Sequence, residues 1–186
     1  EVSSSAPIQL SDENLIAVEM HSDVPIIGYW SSSSDLLNKI WKATNSSYLA
    51  NLFGYPTDCP QREKNGWTGD AHIAIETGLY NFDGISIYEK WMNDFCDEQK
   101  DNGVLPCIIP TSVWGYDWAN GVDWTSAVAI IPWEIYRFYG DTTLLRRMYG
   151  PIKKYVSYIE SISTNHLTDW GPVSYTHLTL PTNPRV

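Results

Sequence analysis

Apolar residues recur at helical spacing in five stretches of this chain, separated by gaps that are alternately long and short. Leu36, Leu37, Ile40, Trp41, Thr44 and Tyr48 follow the N-capping run Ser31 to Ser34 and predict a helix over about residues 35–53. A second helix is expected to start at Asp70 and run through Ile73, Ile75, Leu79 and Tyr80. After the turn pair Asp83-Gly84, the positions Ile85, Tyr88, Trp91, Met92 and Phe95 predict a third, ending near Gln99. The fourth, about 125–139, contains Pro132, which calls for a kink or a first-turn placement. Gly140-Asp141 closes it. Leu144, Leu145, Met148, Ile152, Tyr155, Val156 and Ile159 then mark a fifth helix, with Pro151 as its expected interruption. Ahead of the helices, 15–18 and 26–30 are short apolar runs that read as strands or an extended lead-in.

The short turns 83–84 and 140–141 alternate with the long Gly/Pro-rich loops 54–69 and 101–123. That is the layout of helical hairpins with function gathered at one end, and it resembles an α/α toroid. A closed toroid needs about twelve helices. The fold class expected is therefore all-α, about the N-terminal half of an (α/α)6 toroid with a short extended lead-in. The domain division is 1–30 as lead-in or the end of a preceding β domain, 31–171 as partial toroid, and 172–186 as an irregular tail. The tail is rich in Thr and Pro and has no acidic residue. It reads equally as a loose end or an appended foreign sequence.

Charge changes the picture by exclusion. Acidic residues number 22 against 12 basic, a formal charge of −10, and a field of that sign repels phosphate backbones and anionic lipid. Neither nucleic acid nor a membrane is expected as partner. Cys59, Cys96 and Cys107 have no CxxC spacing and the four histidines no HxxxH pair, so no metal or cofactor is expected and the thiols read as free and buried. The opening residues 1–5 carry no basic segment leading into an apolar core, and compartment stays open.

Nine Trp and twelve Tyr are the compositional outlier. Large aromatics fill cores or line sites that take sugars and other flat apolar faces. Trp41, Trp91 and Trp133 lie within helical patterns and are expected in the core, whereas Trp67, Trp114, Trp118 and Trp124 stand in loops beside carboxylates. Twelve of the 22 carboxylates fall between Asp58 and Asp123, in the same middle third.

The densest chemistry is in Asp58-Cys59-Pro60-Gln61-Arg62-Glu63-Lys64-Asn65-Gly66-Trp67-Thr68-Gly69-Asp70. Pro60 and the glycines stiffen a loop that could hold a carboxylic acid in a fixed direction, with like charges or an apolar neighbour favouring its protonated form. A general acid requires that. The plainer alternative is an Asp58–Arg62 ion pair, with Asp70 as a helix cap.

These residues carry a resemblance. DCPQREKNGWTGDA, from Asp58 to Ala71, resembles the signature of bacterial α-L-rhamnosidases of glycoside hydrolase family 78, whose usual form is DCPQRDERLGWTGDA. Leu36-Leu37-Asn38-Lys39-Ile40-Trp41, Val122-Asp123-Trp124-Thr125-Ser126-Ala127 and Pro132-Trp133 through Asp141 extend it over about residues 31–171. The resemblance implies an (α/α)6 barrel that hydrolyses terminal α-L-rhamnosides with inversion. Aligned backward from Gly66-Trp67-Thr68-Gly69-Asp70, it places the general acid on Glu63. It gives Asp58 and Asp70 to sugar hydroxyls, Arg62 to the motif arginine, Trp67 and Trp124 to the aromatic pocket lining, and Asp123 to the pocket wall. This chain has four positions between Arg62 and Trp67 where the usual form has five.

The family's base is a glutamate from the second half of the barrel. The expectation is thus a general-acid half-site on a fragment that is inactive alone. Two other classes compete: a toroid glycosidase for another sugar, and a non-catalytic carbohydrate-binding or structural module. The expected partner is a rhamnose-containing glycoside or polysaccharide. A third reading makes Trp114, Trp118 and Trp124 an interface, and self-association is then expected because a half-barrel exposes the apolar faces that its missing hairpins would cover.

Overall fold

A computed structural model of the chain describes residues 3–9, 11, 13–111, 114–116 and 121–168. Six α-helices account for most of them: α1 (Asp35–Ala50), α2 (Thr68–Asn81), α3 (Ile85–Glu98), α4 (Val122–Thr125), α5 (Ala127–Tyr139) and α6 (Thr143–Ile162). Trp118 and the tail 172–186 lie outside the described residues, and only the backbone of Trp114 is described, in a single 3-10 turn.

Five of these helices form close to where the pattern places them, and α4 is a single turn at the end of the expected loop 101–123. In α3 the residues Tyr88, Trp91, Met92 and Phe95, spaced three and four apart, are fully buried and form one face. Each such side chain contributes about 1.5–3 kcal/mol on leaving water. They join Ile75 and Leu79 of α2, Val128, Ile131 and Ile135 of α5, and Leu144, Met148 and Tyr155 of α6 in one continuous core. Two hairpins build it. Phe82 to Gly84 turn α2 into α3, and Gly140, in the left-handed conformation at φ 68°, turns α5 into α6 while its N–H donates to the Tyr136 carbonyl at 2.8 Å. α5 packs on both α2 and α6.

The lead-in is extended, with no strand among the described residues and an isolated antiparallel bridge between Ile26 and Phe82. Close approach fixes that segment, since a Cβ on Gly28 would lie 2.0 Å from the Tyr80 carbonyl oxygen. Three expectations are corrected. Pro132 lies beyond the first turn of α5, and Pro151 does not interrupt α6. Each removes one backbone donor, but burial of Ile131 and Ile135, and of Met148 and Tyr155, holds the helix on either side. Trp133 is not core: it is 51% exposed, on the same uncovered side as Tyr136. Of the thiols, Cys107 is buried and Cys59 and Cys96 are only half-buried; none is in a disulfide.

α1 differs from the other helices. Ser34 caps it, its hydroxyl accepting from the Leu37 N–H, but none of its residues is fully buried. It attaches through Trp41, whose indole N–H donates to Asn81 Oδ1 at 2.9 Å, and through Tyr48, whose ring stacks on Phe82. Among the described residues no helix is long and apolar enough to cross a membrane.

Candidate active site

The two long loops are joined at the N-terminus of α2. The Ile109 N–H donates to the Gly66 carbonyl at 2.9 Å, and the Thr68 N–H to the Cys107 carbonyl at 2.8 Å, with Trp67 and Ile108 bridging antiparallel between them. The Thr68 hydroxyl adds a second bond to the Cys107 oxygen. No side chain fits at Gly66, where a Cβ would lie 2.0 Å from the Ile109 oxygen. Trp91 completes the clamp from below, its indole N–H donating to the Ile109 carbonyl at 2.8 Å.

From this anchor the motif loop closes on Asp58. Asp58 Oδ1 accepts from the Asn65 N–H at 3.0 Å, the Asp58 N–H donates to the Asn65 carbonyl, and Oδ2 accepts from the Cys59 thiol at 2.8 Å. The same sulfur accepts from the Glu63 N–H at 3.2 Å. Lys64 then turns the chain in the left-handed region, at φ 57°, between Glu63 and Asn65. That turn sends the exposed Glu63 side chain back over Trp67, and the indole Nε1–H donates to Glu63 Oε2 at 2.8 Å.

Asp70 is the third residue of α2, with Trp67 as the residue before the helix, so it lies inside the first turn and is not the cap itself. Burial pushes its carboxyl above the usual range; the backbone hydrogen bond there pulls it down, Asp58 and Glu63 add to the rise, and His72 opposes it. Asp58 and Asp70 border a cavity of about 580 Å³ between α1, α2 and the loop, whose lining also includes Ser47, Tyr48, Asn51 and Thr57. Glu63, Arg62, Trp67, Asp123 and Trp124 do not line it.

The second loop returns through α4. His72 Nε2 lies 2.9 Å from the Asp123 carbonyl oxygen, to which it donates, and Trp124 packs over Gly69 into a cluster with Trp67, Cys107 and Ile108. The fold thus gathers Asp58, Glu63, Trp67 and Asp70 on one loop and helix start, with Asp123 and Trp124 beside them. Arg62 is exposed, and no ion pair between it and Asp58 is present among the described residues. No group of three or more His, Cys, Asp or Glu that could hold a metal occurs among the described residues. Sequence reasoning missed Cys59, read only as a buried thiol, and His72, for which α2 offers no pattern signal.

Residues 25–182 match the family described as bacterial alpha-L-rhamnosidase 6 hairpin glycosidase domain. The chain belongs to that family. Its described hairpins, α2–α3 and α5–α6, are part of the family's α/α toroid. The chain is similar to an alpha-L-rhamnosidase of Alteromonas sp. (strain LOR), 32% identical over 83% of this chain and 17% of that protein. It is likewise similar to one of Formosa agariphila, 34% identical over 77% of this chain and 16% of that protein. Among solved structures, the alpha-L-rhamnosidase from Dictyoglumus thermophilum superposes with a TM-score of 0.76 at 36% identity, over 82% of this chain and 17% of that one. The Streptomyces avermitilis alpha-L-rhamnosidase complexed with L-rhamnose gives 0.75 at 27% identity, over 80% and 14%. The chain spans about a sixth of the length of these rhamnosidases.

Proposed function

We propose that this chain carries the general-acid side of an inverting α-L-rhamnosidase site. The observation that supports it most directly is the Glu63 carboxyl held by the Trp67 indole on the loop whose Asp58 borders the cavity. Glu63 protonates the glycosidic oxygen as the bond to the sugar carbon breaks and its electron pair passes to that oxygen. A water attacks the opposite face of the sugar and gives its proton to a base. Asp58 and Asp70 accept from sugar hydroxyls, Arg62 donates to the substrate, and Trp67, Trp124 and Asp123 form the pocket wall. An inverting pair of carboxyls stands roughly 6.5–9.5 Å apart to leave room for the water. By family resemblance the base is a glutamate outside these 186 residues, which are inactive taken alone.

The test exchanges residues 31–168 for the matching segment of the Dictyoglumus relative. The folded chimera is expected to release nitrophenol from an aryl α-L-rhamnoside, to form the inverted sugar first by NMR, and to lose activity on Glu63→Gln. A folded chimera indifferent to that substitution overturns the assignment of Glu63. Release by the 186-residue chain alone, abolished in Glu63→Gln, overturns its inactivity.

A second feature bears on partners. Ile73 and Tyr80 of α2 and Trp133 of α5 are more than half exposed, an apolar surface of the kind that drives association. The isolated chain self-associates on this reading. A single monomeric species by light scattering at high concentration refutes it.

A further inference from the structure

Glu63 is exposed, on a loop, and next to a left-handed residue, so little in its own surroundings fixes its direction. What fixes it comes from Trp67. That residue is immobilised on both sides: the carbonyl before it and the N–H after it are bonded to Ile109 and Cys107, and its ring packs with Trp124 against Cys107 and Ile108. The indole nitrogen can only donate, and it reaches Oε2 of Glu63 at 2.8 Å. The Glu63 main chain is tied as well, its N–H to the Cys59 sulfur.

The two oxygens of a carboxylic acid are not equivalent once one of them faces a fixed donor. The carbonyl oxygen is the better acceptor, so the oxygen that receives the indole N–H is the carbonyl, and the acid proton is left on the other. We infer that Trp67 is a positioning residue for the acid, holding Oε2 of Glu63 as an acceptor and so placing the transferable proton on Oε1. This deepens the general-acid reading and rests on it. When the O–H bond at Oε1 breaks and the proton passes to the leaving oxygen, the charge left on the carboxylate is met at Oε2 by the same N–H. No movement of the loop is needed.

The geometry is tested on the chain itself. Exchange of the Trp67 Nε1–H with solvent is expected to quicken by about tenfold in Glu63→Ala, which removes the acceptor. An exchange rate that does not change overturns the inference. Because Glu63 is exposed, that variant keeps the fold. The kinetic test uses the chimera with Trp67→Phe, which keeps an aromatic face and loses the donor. Turnover of an alkyl rhamnoside, whose leaving oxygen needs the proton, is expected to fall about tenfold more than turnover of the nitrophenyl rhamnoside, which needs it least. Equal losses on both substrates make Trp67 a sugar platform only and overturn the inference. Full activity of Glu63→Gln on the alkyl substrate instead overturns the general-acid reading beneath it.

Discussion

The Cα of Gly69 lies directly under the indole of Trp124, so that a Cβ on Gly69 would stand 2.3 Å from two ring atoms. The start of α2 and the start of α4, more than fifty residues apart in sequence, are thereby packed without a side chain between them. Gly69→Ala must push the ring away or tilt the helix. The expected cost is about 1–3 kcal/mol, as for other overpacked contacts. Thermal denaturation measures it, and Trp124 fluorescence should change with it. A variant that melts with the wild type would show the contact to be soft.

Asp58 closes the motif loop through three hydrogen bonds, to Asn65 twice and to Cys59. Arg62 and Lys64 are exposed within that loop and are trypsin sites. Asp58→Ala removes the two side-chain bonds, each worth about 1 kcal/mol or somewhat more for a charged acceptor. Cleavage at these residues through the open loop should quicken by about tenfold or more. Electrophoresis of timed digests reads this, and an unchanged rate would place the loop's closure elsewhere.

Asp70 sets a pH dependence with a definite sign. Its folded carboxyl holds a proton more tightly than the unfolded value of 3.8, chiefly because of burial. Between 3.8 and the raised folded value, the folded state binds more protons than the unfolded, and stability falls as pH rises through that window. Below it Asp70 is protonated in both states and contributes no difference. Asp70→Asn should therefore gain stability over the wild type at neutral pH and lose that advantage in acid, as measured by urea denaturation at the two pH values. A constant difference between the proteins would contradict it.

Trp91 reaches from the core to the site. Its fully buried indole donates to the Ile109 carbonyl, and the Ile109 N–H in turn fixes Gly66 beside Trp67. Trp91→Phe leaves that carbonyl without its partner and a gap beside Phe95, with an expected loss of about 2–4 kcal/mol. Amide exchange at Thr68 and Ile109 should accelerate more than at α6. Uniform acceleration would mean that Trp91 supports only the core.

Much of the helical frame was legible in the sequence because its causes are local. Tyr88, Trp91, Met92 and Phe95 recur at the period of a helix, and they are buried as that period requires. Gly140 stands where a left-handed residue ends α5, and Ser34 where a hydroxyl begins α1. The two prolines misled because proline's penalty is local, while the burial that outweighs it comes from partner helices. Trp133 misled for the converse reason: the spacing that suggests burial does not say whether a neighbour is present to bury it.

The sequence alone determined five of the six described helices, the loop rich in carboxylates and aromatics, and the family, since each is written in consecutive residues. Only the tertiary structure decided that Asp70 is the carboxyl whose proton affinity is raised, that Cys59 links Asp58 to Glu63, and that Trp67 holds Glu63 by one oxygen. It also decided that His72, Gly69 and Ile109 bind the two loops together. The reason is physical: loops have no period to read, and their geometry is set by backbone groups that must find partners some forty residues away, as Thr68 does in Cys107.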